Sequence, residues 1–106
     1  RSPASQAGAA AAPRSLAERL TEAFLTETPR LLGELAEAIT ARDYARGARI
    51  AHNIKGSAFY IQATTMADAA GGLEDACDAV DENAVEIHWA ALQDCIREWM
   101  DDHASR

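Results

Sequence analysis

His52, Lys55 and Gly56 fall within little more than one helical turn, and they are the residues of this chain whose types and spacing suit chemistry. A neutral imidazole is a nucleophile that can accept a group and release it, and an ammonium three residues on can reach oxyanions carried by the ring. On a helix turning about 100° per residue, Gly47, Ile50, Ala51, Ile54, Ala58 and Ile61 share one arc, the pattern of a buried stripe. His52 points away from that arc, on the side of Ala45, Ala48, Gly56, Phe59 and Ala63. A solvated helix face ordinarily carries Glu, Lys, Arg and Gln, so a face of Ala and Gly around an imidazole is built for close approach. Gly56 carries the point furthest. A mid-helix glycine costs roughly 1 kcal/mol relative to alanine, and one turn from His52 it leaves room for a partner's backbone or for a group on the ring.

Around this stretch the spacing predicts helices. Residues 1–15, RSPASQAGAAAAPRS, hold no periodic apolar residue and read as an Ala/Pro/Ser-rich linker, with residues 16–106 as the folded domain. Because it opens in such a segment and not at a methionine, the chain is expected to be the C-terminal piece of a longer protein. Ser15 and Glu18 form a capping-box signature ahead of Leu16, Leu20, Ala23 and Phe24. Thr28-Pro29 is expected to end that short helix and restart another, with Leu31, Leu32, Leu35 and Ile39 inward as far as about Arg42. Asp43 caps the helix of His52. Thr64-Thr65 is expected to cap the next, which repeats Met66, Ala69 or Ala70, Leu73, Cys77 and Val80 and is thinned by Gly71-Gly72. After Asp81-Glu82-Asn83, a last helix turns Val85, Trp89, Leu92, Cys95 or Ile96, and Trp99 inward, and His103 to Arg106 are expected to fray. Short connections make consecutive helices antiparallel. The expected fold is therefore all-α, an antiparallel up-down-up-down four-helix bundle with an additional short N-terminal helix, and His52 stands halfway along its outer wall.

The run Asp43-Tyr44, Arg49, Ala51-His52, Lys55-Gly56-Ser57-Ala58, with Phe24-Leu25, Pro29, Leu31-Leu32 and Leu35 in register ahead of it, resembles the histidine-containing phosphotransfer (HPt) domains of bacterial phosphorelays. The likeness is greatest to those that end hybrid sensor kinases. It implies that His52 accepts a phosphoryl group from an aspartyl phosphate on the receiver domain of such a kinase and passes it to an aspartate of a response regulator. Lys55 would stabilise the phosphoryl oxygens, and Ala45, Ala48, Arg49, Gly56 and Phe59 would form the face on which the partner docks. No cofactor is expected on this chain, since the resemblance places Mg2+ in the receiver's acidic pocket. It implies a cytoplasmic location, free or as the cytoplasmic end of a membrane-bound sensor. Two positions depart from the family pattern. Phe59 stands where a small or polar residue is usual, and Gln62 where a glycine near the helix end is usual. Phe59 is expected to pack against the following segment, with an apolar docking surface as the other reading. Arg46 and Arg49 either meet acidic groups of a receiver or are simply solvated.

Composition narrows the remaining classes. A formal charge of -7 argues against wrapping nucleic acid, whose phosphates call for a basic surface. No stretch approaches the roughly 20 apolar residues of a membrane span, so no direct membrane contact is expected. With only 6% aromatic residues and abundant alanine, the core should pack helices closely on small side chains. Cys77 and Cys95 lie in apolar helical patterns, spaced as neither a CxxC pair nor a zinc framework, and read as reduced hydrophobes. There is no Gly-rich phosphate loop, and the chain is too short for an added ATP-binding domain, so no activity beyond phosphotransfer is expected. No metal site is expected from His52, His88 and His103, and paired Glu/His ligands of a helical-bundle hydrolase are missing. The carboxylates of the helices before and after that of His52, and of the last helix, read as solvated faces. Lack of a long a/d seam points to a monomer. The competing function is a helical docking module that holds receivers or kinases without carrying phosphate, against which the intact His52, Lys55 and Gly56 speak.

Overall fold

The computed structural model describes residues 15–104; residues 1–14 of the expected linker over 1–15, and residues 105–106 of the end expected to fray, lie outside them. Four helices follow one another: α1 (Leu16–Thr40), α2 (Tyr44–Tyr60), α3 (Thr64–Asp78) and α4 (Glu82–Ala104). They form the antiparallel bundle that the spacing predicts, with α2 and α3 sharing the most intimate contact and α1 and α4 the slightest. Two contacts fix the antiparallel sense of α1 and α4. Arg42, just past the end of α1, pairs with Glu82 at the start of α4, and Phe24 near the start of α1 meets Trp99 near the end of α4 edge to face at 5.1 Å.

Ser15 caps α1 through the expected box: the Glu18 amide donates to Ser15 Oγ at 3.1 Å, and the Ser15 amide donates to Glu18 Oε1 at 2.9 Å. The break expected at Thr28-Pro29 does not occur. α1 runs through Pro29 as one helix of 25 residues, so the short N-terminal helix and the first bundle helix are a single element. Proline removes one donor to the turn below and crowds the carbonyl four residues back. Against that stands one buried stripe, Phe24, Thr28, Leu35 and Ala38, on a common face, which a break would split. Thr28 is not the exposed N-cap expected of it but fully buried, and its hydroxyl donates to the Phe24 carbonyl beside the disturbed turn. Leu16, expected inward, is 64% exposed.

The three turns between helices use one device. Each helix ends with a residue in the left-handed region, Arg42 (φ 57°), Gln62 (φ 62°) and Val80 (φ 53°), and none is glycine. At each, the amide of that residue and the next reach back to carbonyls of the last turn: Asp43 to Ala38, Ala63 to Ala58 and Asp81 to Ala76, at 2.8, 2.8 and 3.0 Å. The turn after α2 leaves Ala63 at the N-cap of α3, without a side-chain cap, in place of the expected Thr64-Thr65. Asp43 caps α2 as expected, accepting from the Arg46 amide at 3.2 Å. Val80, expected on the inward stripe of α3, stands 62% exposed in its turn.

The core is a column of Leu35, Ile54, Leu73, Val85, Leu92 and Ile96 filled in by alanines. At Gly47 an added Cβ would lie 3.2 Å from Cys77 Sγ, so α2 and α3 meet there over a missing side chain. Gly72 accommodates the His88 ring of α4 in the same way. Cys77 is buried and Cys95 half-buried, both free thiols, and burial raises the pKa of each. The expected fraying at His103 is not seen. Its ring stacks on Trp99 at 3.8 Å and its Nδ1 lies 2.8 Å from the Trp99 carbonyl, one turn back.

A β-branched residue in the left-handed region is strained and Val80 buries little in return, so Val80→Gly is expected to raise stability by about 1 kcal/mol, net of the added freedom of the unfolded chain. The change should appear as a higher urea midpoint at an unchanged slope.

Candidate functional site

The face of α2 that carries His52 is set by burial of the opposite face. Ile50, Ala51, Ile54 and Ala58 point into the core, and the ring of His52, half a turn away, has 63% of its side chain exposed. Of the residues expected to share its side, Ala45 and Phe59 are exposed and Gly56 is open, since a Cβ there would meet nothing within 4 Å. Ala48 is only 8% exposed and packs with the core, because the close approach of α3 at Gly47 covers much of the neighbouring residue too. Phe59 does not pack against the following segment, the leading expectation, and is 70% exposed.

Lys55 reaches across the seam to α3. Its Nζ stands 2.9 Å from Glu74 Oε1, and its stem crosses the space left by Gly71, where a Cβ would lie 3.3 Å from Lys55 Cδ. The other oxygen of the same carboxylate, Oε2, is 3.1 Å from His52 Nδ1. One acidic side chain therefore bridges the imidazole and the ammonium. Glu74 Oε1 is cut off from solvent, and its contact with Lys55 is an ion pair more than an aligned hydrogen bond. That contact holds the Glu74 carboxyl below its ordinary pKa, with burial opposing it and His52 adding to it. The same contact raises the Lys55 ammonium.

The bridge decides the chemistry of the ring. An ionised carboxylate only accepts, so Nδ1 must donate to it, and the neutral imidazole then carries its lone pair on Nε2. The nucleophilic nitrogen is thus chosen by α3. Glu74 went unnoticed in the sequence, where the acids of α3 read as solvated. Its 22-residue separation from His52 gives no local signal, although Leu73 beside it marks which face of α3 lies at the seam.

On the N-terminal side of the ring, His52, Arg49, Asn53 and Glu74 line an open cavity of about 450 Å3 floored by Ala45 and Ala48. Arg49 makes no ion pair with a described residue, whereas Arg46 lies 3.7 Å from Glu37. α2 carries three cations and no carboxylate, and of these Arg46 and Lys55 face Glu37 and Glu74 of the neighbouring helices. Among the described residues no three His, Cys, Asp or Glu side chains gather where they could hold a metal ion, and no helix is long and apolar enough to cross a membrane.

A family model, that of the Hpt domain, matches residues 19–105. No curated protein and no solved structure matches the chain.

Two outcomes follow from the bridge. In ring nitrogen spectra at a pH where His52 is neutral, the Nδ1–H form is expected to dominate, and Glu74→Ala is expected to shift the population towards Nε2–H. A carboxyl with a lowered folded pKa stabilises the fold above the ordinary carboxylate range, and that increment is lost as pH falls through the lowered value. The stability gap between the wild type and Glu74→Ala, measured by urea unfolding, is expected to shrink from neutral pH towards pH 3.

Proposed function

The chain belongs to the Hpt domain family, which serves phosphorelay in two-component signalling, and on that premise we propose that His52 is the phosphoryl carrier between two receiver aspartates. In this reading Nε2 attacks the phosphorus of an aspartyl phosphate on a receiver domain. The N–P bond forms as the acyl phosphate bond breaks, and the receiver's carboxylate leaves with the electron pair. The ring proton stays on Nδ1, held by Glu74, so no base is needed to generate the nucleophile. Reversal of the same step on a second receiver, that of a response regulator, empties the carrier.

The observation that carries this reading is the exposed imidazole whose Nδ1 is engaged by a carboxylate of the neighbouring helix at 3.1 Å. Such a ring is fixed in orientation and tautomer, yet open to a docking protein. Lys55, 41% exposed, supplies positive charge beside the developing phosphohistidine and is shared between the phosphoryl oxygens and Glu74. Ala45, Arg49, Gly56 and Phe59 form the docking face, and Ala48 supports it from beneath. Arg49 and Lys55, on either side of His52, suit the acidic pocket of a receiver, which brings the Mg2+ that phosphoryl transfer requires. The chain carries no further activity, acts as a monomer in the cytoplasm, and is tethered to or served by a hybrid kinase.

His52→Gln is expected to abolish label uptake from a phosphorylated receiver while leaving the helical circular dichroism unchanged; retained uptake defeats the assignment. Label on the wild type should survive alkali and be lost in acid, as a nitrogen-bound phosphoryl group is. A docking module that carries no phosphate would take up no label. Lys55→Ala is expected to slow transfer without eliminating it, and full speed in a stopped-flow experiment would make the ammonium incidental.

A further inference from the structure

This inference rests on the carrier reading and adds what selects the partner. Only six residues in a hundred here are aromatic, and most of these are at least half-buried. Two are not. Phe59 and Tyr60, consecutive at the C-terminal end of α2, are 70% and 71% exposed. Their neighbour Ala58 is fully buried, so the helix is already anchored there and the fold does not need the aromatic pair. Phe59 is seven residues beyond His52, which on an α-helix puts it within about 20° of the same meridian and roughly 10 Å along the axis. Between them along the axis, about 40° round from His52, lies Gly56, where an added Cβ would meet nothing within 4 Å. Beside Phe59 and Tyr60, a groove of about 440 Å3 runs to Ala67, with Lys55 and Asp68 at its edges.

These observations place an apolar ridge, a flat gap and the imidazole in line on one helix face. The two flanking sides of the ring differ in what lines them, since the cavity towards Arg49 gathers Arg49, Asn53, Glu74 and Asp78 around the imidazole and the groove towards Phe59 is the more apolar of the two. We propose that Phe59 is the specificity-determining anchor of this site, and that it selects receiver domains whose docking face carries an apolar recess about two helical turns from the phosphorylated aspartate. The occupant is a receiver because the ridge continues the face on which the phosphoryl donor must sit to reach His52. Gly56 lets the partner's backbone descend between the two contacts. A receiver with a charged or bulky side chain opposite Phe59 is refused, because the ring would desolvate that charge or prop the donor away from Nε2. Large exposed aromatics in a well-fitted recess are the side chains that dominate binding energy in an interface, and truncating one typically costs tenfold or more in affinity.

The test uses the 106-residue chain with Phe59→Ala, Phe59→Glu and Phe59→Leu, and two probes. Phosphoramidate, a small donor that needs no docking, reports His52 labelling by phosphorus NMR. A set of purified receiver domains, pre-phosphorylated with acetyl phosphate, reports KM and kcat for transfer. Expected are unchanged phosphoramidate labelling and unfolding midpoint in all variants, KM raised roughly tenfold or more by Phe59→Ala with kcat held, a larger rise for Phe59→Glu, recovery in Phe59→Leu, and a narrower spread of kcat/KM across the receivers. An unchanged KM in Phe59→Ala and Phe59→Glu, or an unchanged spread of kcat/KM across the receivers, overturns the proposal while leaving the carrier reading intact. Lost phosphoramidate labelling in the Phe59 variants overturns it too, by making Phe59 structural. Absence of label at His52 in the wild type with either donor sinks the carrier reading itself, and the selection proposal falls with it.

Discussion

Everything at the site depends on how closely α2 and α3 approach. Gly47 meets Cys77 with no side chain between, Ala51 and Ala58 are fully buried, and Met66, Ala70 and Leu73 fill the other side. Only across so thin a seam can a glutamate reach the ring of the neighbouring helix and the ammonium one turn on. Gly71 belongs to the same geometry, since its absent side chain is the path along which Lys55 lies. Small residues in a bundle are often read as weak spots because they bury little area. Here their smallness is the functional property: it sets the distance at which Glu74 can act.

The turns show a second constraint of the same origin. Six glycines are available, and the described ones lie within helices, at positions of close approach or open surface, while the left-handed turn residues are Arg42, Gln62 and Val80. Glycine would relieve the strain in each turn. Where strands or loops of other folds use glycine for conformation, this chain uses it chiefly for space. Schellman hydrogen bonds hold the turns in spite of the side chains, and the buried stripes on either side fix the register.

Much of this was legible in the residues. The stripe Gly47, Ile50, Ala51, Ile54 and Ala58 gave the orientation of α2, and with it the outward imidazole, because helical period is a local property. Ser15, Asp43 and the inward faces of α3 and α4 were legible for the same reason. Failures came where a tertiary contact overruled a local signal. Pro29 and Thr28 spell a helix start, yet the stripe on both sides of them outweighs one lost hydrogen bond. Val80 continues the period of α3, but the chain must turn there. Ala48 looks exposed on a helical wheel and is covered by the approach of α3, and His103 is held by Trp99 one turn back. Glu74 is the instructive case. Period places Leu73 at the seam and leaves Glu74 at its margin, and nothing in a run of acidic residues says which one reaches across to a partner 22 positions away.

The bridge also bears on why such a site would relay a phosphoryl group and not store it. Phosphorylation at Nε2 with the proton kept on Nδ1 would leave the ring cationic, so Glu74 would attract the ring and repel the doubly negative phosphoryl group beyond it. At a site this open the effective dielectric is high, so each effect is on the order of 1 kcal/mol and the two largely offset. Glu74 would therefore neither prevent phosphorylation by an acyl phosphate nor lock the product in place. The ammonium faces a choice as well. Held by Glu74 in the empty carrier, it must divide itself between carboxylate and phosphoryl oxygens in the loaded one, so its grip on the phosphate is weaker than a free lysine's would be. A carboxylate that would fix the nucleophilic nitrogen before transfer would thus also limit the hold of Lys55 on the loaded ring. Both effects follow from one side chain at one distance, and both favour a group that is taken up readily and given away readily.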